Sequence, residues 1–69
     1  MSQDTRNKIA KNIIKLRNAK GFKKEELSLI LGFDNSYISK LEKGKINITI
    51  DKLDIIAKFF GVNIKKLFD

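Results

Sequence analysis

Cysteine and histidine are both missing from the 69 residues, as are proline and tryptophan. Without Cys or His the chain has no zinc finger, disulfide staple, thiol nucleophile or imidazole general base. Most enzyme chemistry goes with them, and neither a metal nor a cofactor is expected. No apolar run exceeds three residues, as in Leu29-Ile30-Leu31, and the opening Met1-Ser2-Gln3-Asp4 is polar. That excludes a membrane-spanning helix and a signal-peptide core. A soluble, cytoplasmic protein with no membrane partner and no small-molecule ligand is the expectation. Strand-like alternation occurs only around Ile46-Asn47-Ile48, and no internal repeat is visible.

What is present suits one folded domain over residues 1–69: 42% of the residues are hydrophobic and 33% charged, enough apolar surface to offset chain entropy. The formal net charge of +7 favours a polyanionic partner. Its placement is uneven. Residues 1–24 hold eight basic and one acidic side chain, residues 25–48 three and four, and residues 49–69 four and three. The excess is therefore concentrated in the first third of the chain, where a solvated lysine-rich face is the competing explanation.

Gly21, Gly32, Gly44 and Gly61 each close a helical apolar pattern. Four such stops, with a short segment after Gly61, predict an all-α fold of five helices. The first runs from about Thr5 to Ala19 and turns Ile9, Ile13 and Leu16 inward, with the Lys20 stem along apolar surface. The second covers Lys24 to Leu31, with Leu27, Ile30 and Leu31 inward and Glu25 and Glu26 favourably placed in its first turn. Asp34 is the expected N-cap of the third, which points Ile38 and Leu41 inward and ends at Lys43. Only Gly32 and Phe33 would separate that cap from the second helix, a spacing that demands a tight angular pair. Thr49 caps the fourth helix, with Ile50, Leu53, Ile56, Ala57 and Phe60 inward, and Asn63 caps a last one carrying Ile64 and Leu67. At about 100° per residue, Ile55 and Phe59 fall off the fourth helix's inward stripe. They are either partly covered by the C-terminus or the Ile46–Ile48 loop, or they form a subunit interface.

The ordered set Ile13-x-x-Leu16-Arg17, Lys20-Gly21-Phe22, Glu25-Glu26-Leu27, Leu31-Gly32-Phe33, Ser36-Tyr37-Ile38-Ser39-Lys40-Leu41-Glu42-Lys43-Gly44 and Ile56-Ala57-Lys58-x-x-Gly61-Val62 resembles the Cro/CI-type helix-turn-helix family. This family is also called XRE or lambda-repressor-like. The resemblance implies a five-helix domain whose third helix enters the major groove of double-stranded DNA, usually as a two-fold homodimer. By position it implies base reading by Asn35, Ser36 and Lys40, whose side chains can pair with adenine, with either partner, and with guanine respectively. Helix initiation by Asn35 and Ser36 is the competing reading. Phosphate contacts would fall to Lys24, Tyr37, Lys43, Lys45 and Asn47, with Lys23 a further candidate, against ordinary solvation of each lysine. Arg17 and Glu42 match a structural ion pair. Ile55 and Phe59, with Phe68, would form the dimer interface.

Two departures from the family pattern stand out. Lys23-Lys24 replaces the usual Ser/Thr cap and Gln at the start of the second helix, which predicts a looser helix start and a steeper salt dependence. Ile48 stands where Pro is common, so that Ile46-Asn47-Ile48-Thr49 is similar to the corresponding loop of restriction–modification controller proteins. The function implied is a transcriptional regulator, repressor or activator, on a pseudo-palindromic operator. The other reading kept open is a protein-interaction module such as an antitoxin, with DNA binding secondary. An enzyme is not expected, because Asp34, Glu42, Asp51 and Asp54 are better explained as caps, pairs and surface.

Overall fold

Helix α1 (Gln3–Lys20) begins where Ser2 Oγ accepts a hydrogen bond from the Thr5 amide at 3.1 Å. This cap starts the helix two residues before the sequence pattern does, because the apolar periodicity that marks a helix by eye does not include its solvent-exposed first turn. Helices α2 (Lys24–Ile30), α3 (Tyr37–Glu42) and α4 (Ile50–Phe60) follow, and Ile64–Phe68 is a 3₁₀ helix. The protein, described over residues 1–69 by a computed structural model, is all-α. Its α-helices number four rather than the expected five. The fifth segment has only five residues, which favours the tighter i→i+3 turn. Asn63 Oδ1 accepts from the Lys65 amide, and the Asn12 side chain of α1 donates to the Leu67 carbonyl at 2.9 Å.

The core draws on every element: Ile9 and Ile13 from α1, Leu27 from α2, Ile38 and Leu41 from α3, Leu53, Ile56, Ala57 and Phe60 from α4, with Ile48 and Leu67 closing it. Helix α1 packs on α3 and on the 3₁₀ helix, α2 on α3, and α4 on the 3₁₀ helix. Two residues expected to face inward do not, and Lys20, whose stem is expected along apolar surface, is exposed as well. Ile50 is 67% exposed and Ile30 49% exposed. Ile50 and Ile30 are terminal residues of their helices, so the inward stripe of α4 starts only at Leu53.

All four glycines have positive φ. At Gly44 the requirement is double: φ is 70°, and a Cβ would lie 2.6 Å from Asn7 Oδ1 and 3.0 Å from Gln3 Nε2. This glycine ends α3 and lets the first turns of α1 lie against the loop that follows it.

Candidate nucleic-acid interface

The chain enters α3 through a turn instead of a simple capped helix start. Asp34 Oδ2 accepts from the Ser36 amide at 3.2 Å and from the Ser36 hydroxyl at 2.6 Å, and the Tyr37 amide donates to the Asp34 carbonyl at 3.0 Å. These short-range bonds hold residues 34–36 in a turn, so α3 begins at Tyr37, has Ser36 as its N-cap and stops at Glu42. Six residues, 31–36, thus separate α2 from α3. The Asp34 carboxyl is held below its ordinary value, first by the Ser36 hydroxyl and then by the Ser36 amide.

A helix of six residues has little stability of its own. Three attachments position it. Ile38 and Leu41 are sunk in the core. Ser28 on α2, fully buried, donates its hydroxyl to the Lys24 carbonyl at 2.9 Å and accepts from the Ile38 amide at 3.0 Å. Because α3's first amides have no partner within the helix, this hydroxyl both satisfies a buried donor and pins α3 to α2. At the other end Glu42 receives two hydrogen bonds from Arg17, Nε to Oε2 at 2.6 Å and Nη2 to Oε1 at 3.1 Å. Arg17 Nη1 also donates to the Phe22 carbonyl at 2.8 Å. The pair is nearly enclosed, with side chains 12% and 5% exposed, and it uses the planar fit of guanidinium to carboxylate.

What α3 and its entry turn leave outward is polar. Asn35 and Lys40 are exposed and Ser36 is half-buried. The Ser36 hydroxyl proton is committed to Asp34, so its oxygen is left to accept. The Tyr37 ring packs tilted against Phe33 with centroids 4.8 Å apart, and Lys52 Nζ of α4 lies 4.6 Å from the Tyr37 ring centroid, a cation–π arrangement. Burial pushes the Tyr37 phenol up, so it stays a neutral donor around neutral pH.

The lysines differ in surroundings. Lys23 and Lys24 share a shallow concavity with Glu25, Glu26, Leu29 and Ser39, so carboxylates temper their field. Lys23 N-caps α2 with no side-chain acceptor, since an ammonium only donates. Glu26 compensates by accepting from the Lys23 amide at 3.1 Å, securing from inside the helix the start that the sequence reading expects to be loose. Lys43 and Lys45 are exposed and have no carboxylate partner. Asn47 is exposed, and its Oδ1 accepts from Arg6 at 2.6 Å.

On α4, Ile55 and Phe59 are 44% and 37% exposed, with Phe59 leaning on Phe22 and Phe60. Phe68 is half-buried against the core. Sequence reasoning missed Ser28, Arg6 and Lys52. A serine inside a helix and an arginine in a polar first turn carry no local mark of what they touch, and Lys52 meets Tyr37 only through the packing of α4.

A helix-turn-helix family model matches residues 13–67. An uncharacterised HTH-type transcriptional regulator of Sinorhizobium fredii, y4dJ, is 37% identical over 60 residues, covering 87% of this chain and 78% of the relative. Control protein C.SmaI of Serratia marcescens is 31% identical over 64 residues, covering 93% and 76%. Among solved structures, the hypothetical transcription factor NHTF from Neisseria superposes with a TM-score of 0.90 at 33% identity, covering 97% of this chain and 77% of that one. The restriction-modification controller protein C.AhdI from Aeromonas hydrophila superposes with a TM-score of 0.84 at 27% identity, covering 96% of each. With a family match across most of its length, and a short α3 held by its neighbours with polar side chains outward, this chain belongs to the XRE-like helix-turn-helix family of DNA-binding transcriptional regulators.

Proposed function

We propose that the protein is a non-enzymatic, cytoplasmic regulator that binds a pseudo-palindromic operator as a homodimer, and that the genes it governs belong to a restriction–modification system. The carrying observation is the clamped α3: Arg17–Glu42 at one end and Ser28 at the other fix its pose, while Asn35, Ser36 and Lys40 remain available at its open side. Asn35 suits an adenine edge and Lys40 a guanine. Ser36, its proton spent on Asp34, suits an amino donor such as cytosine N4. Lys23, Lys24, Tyr37, Lys43, Lys45 and Asn47 set register on the phosphates.

The dimer rests on Ile55 and Phe59, the exposed apolar pair of α4, with Phe68 at its edge. A domain of this size has a modest core, and a second copy would bury that pair. Two recognition helices would then sit about 34–36 Å apart, one turn of DNA. The controller reading draws on the likeness to C.SmaI and C.AhdI over nearly the whole chain.

Selection of bound sequences from random duplex DNA at two salt concentrations tests the proposal. An enriched palindrome that survives physiological salt is expected, along with a dimer in light scattering at tens of micromolar that Phe59→Lys converts to a monomer. Uniform weak binding that vanishes at physiological salt would overturn the operator reading, and a wild-type monomer would overturn the dimer.

A further inference from the structure

Residues 1–24 hold most of the positive charge, yet the helix-turn-helix family match starts at residue 13. The first turns of α1 lie outside that match, and none of the contacts that the family resemblance implies falls on them. In the fold they lie against the loop that leaves α3, where Gln3, Arg6, Lys43, Gly44, Lys45 and Asn47 line one open cleft. The cleft contains three cations, no carboxylate and no hydrophobic side chain.

Its internal bonding is specific. Gln3 Nε2 donates to the Gly44 carbonyl at 3.0 Å, and Gln3 Oε1 accepts from Arg6 Nη2 at 3.0 Å and more weakly from Nε at 3.3 Å. Arg6 Nη1 donates to the Met1 carbonyl at 2.7 Å and to Asn47 Oδ1 at 2.6 Å. Every acceptor around the Arg6 guanidinium is neutral, so the group is fixed in place with its full charge uncompensated. Glu42, adjacent in sequence to Lys43, is already committed to Arg17. A guanidinium can only donate, so Asn47 must turn its oxygen towards Arg6. Its NH₂ is then left facing away, and it makes no hydrogen bond within the chain.

We infer that this cleft is a seat for the DNA backbone in which Arg6, fixed in place, neutralises one phosphate, Lys43 and Lys45 reach the phosphates on either side of it, and Arg6 orients the Asn47 amide as a donor. Gln3 is a positioning residue that sets Arg6 against the loop. The inference deepens the proposed operator binding and rests on it for the choice of ligand. It assigns to the start of α1 a part of the contact that sequence likeness gave only to α2, α3 and the following loop. A free phosphate would meet the same groups, but the cleft lies beside the end of α3, where a duplex docked on that helix passes its backbone.

The test is a titration of duplex DNA followed by fluorescence anisotropy across a range of salt concentrations, with thermal melting of each variant alongside. Each phosphate neutralised on duplex DNA contributes about 0.9 to the slope of log K against log salt. Arg6→Gln is expected to weaken binding and reduce that slope by about 0.9 per bound subunit, with base preferences unchanged, whereas Arg6→Lys should retain the slope. Asn47→Asp separates binding from folding. Its carboxylate can still accept from Arg6, so melting should hold, while the lost donor and the neutralised cation should weaken DNA binding further than Arg6→Gln does. Wild-type slope and affinity in Arg6→Gln would overturn the seat. So would lowered melting with an unchanged slope, or an Asn47→Asp variant that binds like wild type. Because non-specific duplex binding also registers phosphates, a changed slope remains measurable even if no operator is ever selected, so the two proposals fail separately.

Discussion

Helices α1 and α3 meet in the core and are built on opposite principles. Helix α1 has 18 residues, a serine at one end and a glycine at the other, and its own caps satisfy its termini. Helix α3 has six residues and no side-chain cap at its N-terminus. What it lacks is supplied from elsewhere, a hydroxyl from α2 and a guanidinium from α1, while two side chains of its own anchor it in the core. The long helix carries charge, and the short one with its entry turn carries the polar side chains proposed to discriminate. A helix held by its neighbours can be disturbed without touching any of its outward residues.

Breaking the borrowed end of α3 should have the largest effect. Glu42→Ala leaves Arg17 enclosed without its carboxylate, a loss of about 3 kcal/mol, at the low end for a buried pair because Arg17 retains some solvent and the Phe22 carbonyl. In a domain of this size each kcal/mol shifts Tm by about 4–8 °C, so thermal unfolding followed by circular dichroism should show a large drop. A melting curve like the wild type's would mean that α3 does not depend on α1. Ser28→Ala comes next. It strands the Ile38 amide in the core at a cost of about 1–3 kcal/mol, and hydrogen exchange should accelerate at Ile38 before it does in α1. Equal acceleration in both helices would erase the contrast between them.

The smallest effect is at the entry turn. The Asp34 carboxyl is held below its ordinary value by Ser36, so the folded state favours the ionised form. Its contribution is present at neutral pH, where the carboxyl is ionised in both states, and is lost as pH falls below about 4 through the lowered folded value. Chemical shifts of Ser36 and Tyr37 should move in that range. Asp34→Asn should abolish the movement, and persistence of it in that variant would assign the titration to another group.

The two helices also differ in how far they could be read in advance. The apolar spacing of Ile9 and Ile13 and the stop at Gly21 located α1 to within two residues, because a helix with its own caps announces itself locally. For α3 the inward pair Ile38 and Leu41 was legible, but its start was placed at Asp34. A carboxylate two residues before a serine can cap a helix or close a turn, and here it closes a turn. The lysines of the candidate interface could be counted but not ranked. Lys24 lies beside glutamates and Lys45 does not, a distinction that depends on which surfaces the fold brings together.

By itself the amino-acid sequence determined the all-α class, the four glycine stops, most of the core and the family, since these rest on periodicity and order along one strand of chain. Tertiary structure alone decided that Ser28 holds α3, that Lys52 covers Tyr37, and that Gln3 and Arg6 reach the loop at Gly44–Asn47. Each of those contacts joins elements that pack at distances no local period records. The positive charge of the first third of the chain was evident from its lysines and arginines. Folding decided that one of those arginines stands, fixed and unneutralised, beside the end of α3.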